Sequence, residues 1–571
     1  MIPRLAPRGA LIAASALLFL LVGALRSTPP VVAMAGVVLG LLLASYLAFF
    51  PTAILLRRKK IELSWWVPPG EQPGGALTVD RPFALHLAFR NHGARTLRVL
   101  RTRVLTSSAL ELPVHPSATV PAGRQVEVTA QVLARAAGYQ VLHGAVLGLG
   151  DWLGLFEVEA YFPNPVALKV FPRNLPSRQV ALAVPASAAI AEAGLHQVRR
   201  RGVAGELREL REHAHGDPFK LIAWKATARR GKLMVRDLEN ELVSTQLLLV
   251  DVGVGMRTGA LGTQPLDWAI DLVSGLARGA AGGADRVGLV AFDTRVTTHV
   301  APGAGHHHAL ALIERLLDAR AVVDEDLTDV TAGELVAQVA RYLAHQEGVD
   351  VRIKVPPAID DPRWNLIQAG PDGQLYDLAV TSRLVSKLVE VMGRDARRAK
   401  GAKAPAWWWT RGRETPRGVD LQHELLRQFC RLRGIELPYR HLAEHGRRAA
   451  GFAEAVGRAV DGVRPDVVVV LSDLAGLAED EATTARAIAR ARRAAGQLVV
   501  AVPSPDRFLP DAETELGDRV RALAARDLAQ AQQRARHLLA RRGVRVVEVG
   551  PTDGPHALLG GLGRSPRARS A

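Results

Sequence analysis

Cysteine is all but missing from this chain. Cys430 stands alone in 571 residues, which excludes an intramolecular disulfide framework and fits a reducing compartment. Aromatic residues are sparse, and Ala, Arg, Gly and Val dominate, a bias that reflects a GC-rich genome more than function. No Gly-x-x-x-x-Gly-Lys-[Ser/Thr] run occurs, so the chain is not expected to hydrolyse ATP itself. Acids are in short supply: 56 Asp and Glu stand against 73 Lys and Arg, a formal net charge of +17. Such a charge suits an anionic membrane surface, nucleic acid, or a solvated Arg-rich exterior. The arginines are spread along the chain and interleaved with Glu and Asp, without a basic-aromatic pattern, so no nucleic-acid partner is expected.

What is present begins with a membrane signal. Residues 9–25 and 31–50 carry no charge, and each approaches the ~20 residues that span a bilayer. The short link at 26–30 makes them a helical hairpin. Arg4 and Arg8 flank one end and Arg57, Arg58, Lys59 and Lys60 the other, against Arg26 alone in the link. The positive-inside rule then puts both termini in the cytoplasm. A cleaved signal peptide is the alternative for the first segment.

From 61 to 173 short strand-like runs recur: Ile61–Trp66, Phe83–Phe89, Thr96–Leu105, Gln125–Val132, Tyr139–Leu149 and Val166–Phe171. Turn signals at 91–93 and 121–123 separate some of them, and the spacing predicts a small immunoglobulin-like β-sandwich. An Ala-, Pro- and Ser-rich linker follows at 174–201. Asp217-Pro218 reads as a helix start, Phe219 to Arg230 as the helix and Gly231 as its left-handed stop, with a strand over 232–236.

Beyond Gln246 apolar strands alternate with helices: 246–250, 286–292, 465–473, 497–502 and 544–549 are strands. Residues 267–279, 308–317, 479–495 and 512–541 are helical. In 308–317, Leu310, Leu312, Ile313, Leu316 and Leu317 share a face. This pattern means an α/β, doubly wound, mainly parallel sheet. Strands 246–250 and 465–473 each end in a carboxylate, Asp251 and Asp473, where open α/β sheets place ligands. A stretch at about 324–416 is too long for an ordinary connection and reads as an insertion with some helix. It holds Trp407, Trp408 and Trp409, which pack back on the domain or meet a partner or membrane interface.

The segment Gly205 to Arg211, then Gly216 to Pro218, then Trp224 to Arg236, followed by an acidic strand, resembles the signature of the domain of unknown function 58 family. The run at 151–156 is similar to that family's Asp-Pro-Leu-Gly-Leu-Phe, with Trp152 in place of proline, and reads as packing. The resemblance implies a membrane hairpin, a β-rich domain, the signature and a von Willebrand factor A-like domain, with a MoxR-type AAA ATPase as partner. The boundaries are then 1–60 for the hairpin, 61–173 for the sandwich, 174–245 for linker and signature, 246–560 for the von Willebrand factor A-like domain, and 561–571 for a basic tail.

Metal-binding von Willebrand factor A domains hold Mg²⁺ with Asp-x-Ser-x-Ser, a later Thr and a later Asp. Here Asp251 and Asp473 remain, Gly253 and Gly255 replace both serines, and Val419 or Thr328 stands for the threonine. The hard-oxygen ligand set is thinned, so Asp251 and Asp473 form a degenerate metal site and no cofactor is counted on. His306 to His308 lack convergent geometry for a metal. In the signature, Arg208, Glu209, Arg211 and Glu212 suit a salt-bridged brace. Trp224 reads most simply as core. Lys225, Arg229, Arg230 and Lys232 suit a partner surface. With Arg208, Arg211, Trp224, Trp407, Trp408 and Trp409, they are the protein-interaction candidates. The expectation is a non-enzymatic adaptor at the bacterial inner membrane, its soluble domains cytoplasmic, with no small-molecule substrate. A structural cell-envelope protein without an ATPase partner and a metal-dependent hydrolase are the rivals.

Overall fold

The computed structural model describes residues 3–56, 61–68, 76–173, 200–349, 384–392, 421–440 and 445–554, with short interruptions at 95, 113–115, 152, 203–205, 214–218, 220–221, 241–243, 284 and 348. Two compact units divide the chain: Met1–Arg173 with Arg320–His441, and Asn174–Ala319 with Leu442–Ala571.

The first unit opens with helices Pro7–Leu25 and Pro29–Leu56, both containing stretches long and apolar enough to cross a membrane. Leu11, Leu17, Leu18, Leu41 and Leu43 stand exposed along them, a continuous apolar surface of the kind that lipid covers. Two mainly antiparallel sheets follow. Arg4–Leu5, Phe156–Phe171, Gly138–Gly150, Leu97–Thr106 and Ala118–Val120 lie in that order, and Ile61–Trp66, Phe83–Asn91, Gln125–Ala134 and Leu110–Glu111 form the second sheet. In Ile61–Trp66 burial alternates residue by residue, the two-residue period of a strand with one face inward. The turn at 151–156 is closed by Asp151, whose Oδ1 accepts from the Leu155 and Phe156 backbone N–H at 2.6 and 3.0 Å.

Residues 320–441 interrupt the second unit in sequence and join the first in space, a wider stretch than the 324–416 expected. They build a small helical core of their own. Helix Ala332–His345 starts at a capping box in which Thr331 and Glu334 satisfy each other's backbone N–H groups. Its Leu335, Val339 and Leu343 pack with Leu384, Leu388, Leu426, Phe429 and Cys430. Burial pushes the Cys430 thiol up to about 12, so it stays protonated and packs as a small apolar side chain. The core is tied to the sheet of Gly138–Gly150 and Phe156–Phe171: Tyr342 Oη lies 2.9 Å from His143 Nδ1, and Tyr161 Oη donates to the Gln346 carbonyl at 2.7 Å. Trp407, Trp408 and Trp409 lie outside the described residues, as does the basic tail.

The second unit contains a six-stranded sheet of β1 (Thr245–Asp251), β2 (Arg286–Phe292), β3 (Val296–Gly303), β4 (Val467–Leu471), β5 (Gln497–Pro503) and β6 (Arg545–Val549). The order is 3-2-1-4-5-6, parallel throughout except for the antiparallel edge strand β3. Residues 246–251 are all buried, which requires cover on both faces and explains the unbroken apolar run. The helices are α1 (Pro265–Ala281), α2 (His306–Arg320), α3 (Arg447–Val460), α4 (Glu481–Ala494) and α5 (Glu515–Arg541). In α2, Leu312, Ile313, Leu316 and Leu317 are buried, whereas Leu310 is turned outward at 37% exposure.

A separate three-stranded sheet, ordered Arg200–Gly202, Met234–Asn240, Glu206–Glu212, holds the signature. Its helix runs Trp224–Arg230, five residues shorter at its start than expected, and ends at Gly231 with φ 64° as expected. Sheet pairing claims the residues ahead of it: Ile222 bridges Val235, and the Ala223 N–H donates to the Met234 carbonyl at 2.8 Å. Asp217 and Pro218 lie outside the described residues.

Candidate functional site

In the order 3-2-1-4-5-6 the chain leaves β1 in one direction and β4 in the other, so a crevice opens at their carboxyl ends. Asp251 is the last residue of β1, and Asp473 stands two residues past β4. The structure brings these two carboxylates, 222 residues apart in sequence, to one buried cluster around Arg448 of α3. Arg448 Nη2 lies 2.9 and 2.8 Å from the two oxygens of Asp251 and 3.2 Å from Asp473 Oδ1. A third carboxylate, Asp293 after β2, approaches Arg448 Nε at 3.5 Å. All four side chains are at most 10% exposed.

Local backbone fixes each acid. The Gly253 N–H donates to Asp251 Oδ1 at 2.8 Å, and Ser472 Oγ donates to Asp251 Oδ2 at 2.6 Å. The Ala475 N–H donates to Asp473 Oδ1 at 3.1 Å. Between them Leu474 takes φ 62°, a left-handed conformation that costs a leucine about 1–2 kcal/mol. Its buried side chain and the bond from its N–H to Ser472 Oγ hold it there. Gly451, one turn along α3 from Arg448, lies so near the loop after β2 that a Cβ would overlap the Asp293 carbonyl oxygen. That close approach sets Arg448 among the acids.

Asp473 Oδ2 is buried and finds no hydrogen-bond donor among the described residues. Burial raises the Asp473 carboxyl to about 6, against the pull of Arg448 and with a push from Asp251. The space it faces, lined by Gly255, Thr258, Pro505, Phe508 and Gln532, measures only about 10 Å³. That is about the room one water needs, far below a small-molecule site of roughly 300–1,000 Å³.

These residues do not fit the Mg²⁺ that the Asp-x-Ser-x-Ser pattern implies. The place between the carboxylates is taken by a guanidinium. A Cβ on Gly253 would come within 2.5 Å of Arg448 Nη2, and one on Gly255 would overlap Asp473 Oδ2. Serines cannot stand at 253 and 255 while the cluster keeps this form. Neither does the Gly253-x-Gly255 turn serve a dinucleotide phosphate, since Asp473 fills the space over Gly255 and a four-residue 3₁₀ turn, Val254–Arg257, follows. Thr328 belongs to the other unit, where its hydroxyl donates to the Asp324 carbonyl at 2.7 Å and accepts from Arg427 at 2.7 Å. Val419 lies outside the described residues. Among the described residues no group of three or more His, Cys, Asp and Glu is placed to hold a metal.

The signature's interaction candidates lie elsewhere in the second unit. Trp224, read from the sequence as core, is 59% exposed, with the 74% exposed Phe219 beside it, ring centroids 6.2 Å apart. No residue of the seven-residue helix Trp224–Arg230 is buried. Lys225, Arg229 and Arg230 are exposed on the same helix. Lys232 pairs with Glu212 at 2.8 Å on the surface. Arg208 and Arg211 sit in strand Glu206–Glu212, their side chains outside the described set.

Sequence reasoning missed Arg448 and Asp293. One signal was available: two lost hydroxyl ligands beside two retained acids leave buried negative charge that demands a cation from somewhere.

The fold and site thus define a doubly wound α/β domain with a carboxylate cluster at its topological switch point. Residues 209–344 match the family described as "Protein of unknown function DUF58". No curated protein matches the chain. Among solved structures, a FixG-related protein from Vibrio parahaemolyticus is 10% identical, over 20% of this chain and 97% of that one, TM-score 0.14. A PapD-like domain of human CEP192 is 11% identical, over 20% and 86%, TM-score 0.15. Native alpha-2-macroglobulin from Escherichia coli is 11% identical, over 84% and 65%, TM-score 0.17.

Proposed function

We propose that this protein is a non-enzymatic adaptor, anchored in the bacterial inner membrane, that presents a von Willebrand factor A-like interaction domain in the cytoplasm to a MoxR-type AAA ATPase during chaperone or assembly work. The observation that carries this reading is the exposed Phe219–Trp224 pair, flanked by Lys225, Arg229 and Arg230, inside the family-matched segment. An aromatic anchor ringed by cations is the composition of a protein-binding hot spot and suits an acidic partner. The strand order with one antiparallel edge supports a von Willebrand factor A-like domain, and the two β-sheets of the first unit support an immunoglobulin-like sandwich. The excess of Lys and Arg flanking the apolar helices supports cytoplasmic soluble domains.

The hydrolase reading is weaker on physical grounds. Its two acids are locked to Arg448, and the adjoining cleft holds about one water. The adaptor reading is tested by mild solubilisation of the tagged full-length protein from its native membrane. A stoichiometric AAA ATPase in the eluate is the expected result. A preparation with no ATPase, with Mg²⁺ and nucleotide supplied, would overturn the partnership and leave the structural cell-envelope reading.

A further inference from the structure

Among the described residues the cluster at the switch point brings Arg448 together with Asp251, Asp473 and Asp293, and this cation is covalently part of the fold. We propose that Arg448 takes the place of a divalent ion at this site, so that the carboxyl edge of this sheet is assembled and works without metal. Four observations bear on this. Arg448 Nη2 contacts both Asp251 oxygens and Asp473 Oδ1 at 2.8–3.2 Å, bridging two acids as a shared ion would. The two positions where hydroxyl ligands would stand are glycines, and side chains at 253 and 255 would displace the ends of Arg448 and Asp473 respectively from this arrangement. Ser472 Oγ, a hard-oxygen donor beside the acids, spends its proton on Asp251 Oδ2 at 2.6 Å instead. Gly476, at φ 75° with its Cβ position 3.1 Å from Arg448 Cδ, leaves the space through which the arginine stem enters, and Gly451 lets α3 come close to the loop after β2. The glycines, the arginine and the acids therefore form one interdependent set. The set also solves an electrostatic problem: a buried carboxylate pair without a counter-charge is expelled or protonated, and a tethered guanidinium meets the need at any metal concentration. Guanidinium suits the role better than ammonium because its planar fork reaches several carboxylate oxygens at once.

This inference does not depend on who the partner is, so its test is independent of the adaptor reading. Full-length wild type and Arg448→Ala would be purified in detergent. Each would be melted in EDTA, in Mn²⁺, and in potassium salt of matched ionic strength. Mn²⁺ binding would be read directly from the loss of its free-ion electron paramagnetic resonance signal. Wild type is expected to bind no Mn²⁺ and to melt at one temperature in all three media. Arg448→Ala is expected to melt lower in EDTA, to bind one Mn²⁺, and to regain roughly 5–10 °C when the ion saturates it. Asp251→Asn added to Arg448→Ala should abolish that rescue. Stoichiometric Mn²⁺ binding by wild type would overturn the proposal, and that result does not depend on any variant folding. So would an Arg448→Ala protein with native far-UV circular dichroism that Mn²⁺ leaves unbound and unrescued. Should Arg448→Ala fail to fold in EDTA, expression and refolding in Mn²⁺ supplies the second readout: recovery of folded protein only with the ion supports the replacement, and no recovery overturns it.

Discussion

Asp473 pays a solvation penalty that its neighbours only partly relieve. Its folded carboxyl holds a proton up to about 6, whereas an unfolded one releases it near 3.8. Between those values the folded state binds more protons than the unfolded state, so stability falls as pH rises through the window. A proton-affinity change of that size is worth roughly 3 kcal/mol. Asp473→Asn, which imitates the protonated form, should lose the slope between about pH 4 and 6 and gain up to that amount at neutral pH. Urea denaturation of the two proteins across that range checks it, and equal slopes would refute the assignment. At this scale the sequence was half legible. Asp251 and Asp473 are readable because each follows an apolar strand, a local pattern. Arg448 is not: it sits in the first turn of a helix, where a cation opposes the helix dipole, and only the approach of α3 to the loop after β2 makes it part of the site.

Among the elements, strands were the most readable. Ile61–Trp66 has its expected bounds because alternation is strict, while Phe156–Phe171 grew ten residues beyond the expected Val166 start. Asn164 and two prolines interrupt its pattern, and a bulge between Pro163 and Val166 absorbs them while pairing continues. The helix of the signature departs in the opposite direction, since Ile222 and Ala223, expected inside it, pair with Val235 and Met234 instead. Its exposure makes a prediction at this scale. Trp224→Ser removes no core contact and should change stability by no more than about 0.5 kcal/mol, as surface substitutions do. If the helix is the docking element, the same change should weaken partner binding at least tenfold, the loss of one hot-spot side chain. A pull-down alongside a thermal melt separates the two. Unchanged binding would remove this helix from the interface, and a large fall in melting temperature would make Trp224 structural after all.

For the whole molecule, the interleaving of two units could not be read from periodicity. The insertion announces itself by length, but its attachment to the strands of the first unit includes polar contacts such as Tyr342 with His143 and Ser108 Oγ donating to Glu436 at 2.8 Å. Neither has a sequence signature. The arrangement predicts how the protein tolerates cutting. A chain beginning at residue 174 retains the α/β sheet but carries residues 320–441 without the strands they pack on. It should aggregate or melt early, and replacing 320–441 by a short flexible linker should restore a monomer that melts cooperatively. Size-exclusion chromatography and calorimetry of the two shortened chains decide it; a well-behaved monomer with the insertion still present would show that the helical core stands alone.

There is a consequence for how the protein is made. Translation delivers the apolar helices first and the antiparallel strands next, yet the helical piece that completes the first unit emerges only after the first three strands of the sheet, more than 140 residues later. The nascent chain must therefore keep an unfinished unit waiting at the ribosome while β1 to β3 are themselves waiting for β4 to β6. Neither unit can close before the other is well under way. The slow step of biogenesis then falls late, after residue 441 has left the exit tunnel, and mistranslation or pausing inside the insertion would strand both units at once.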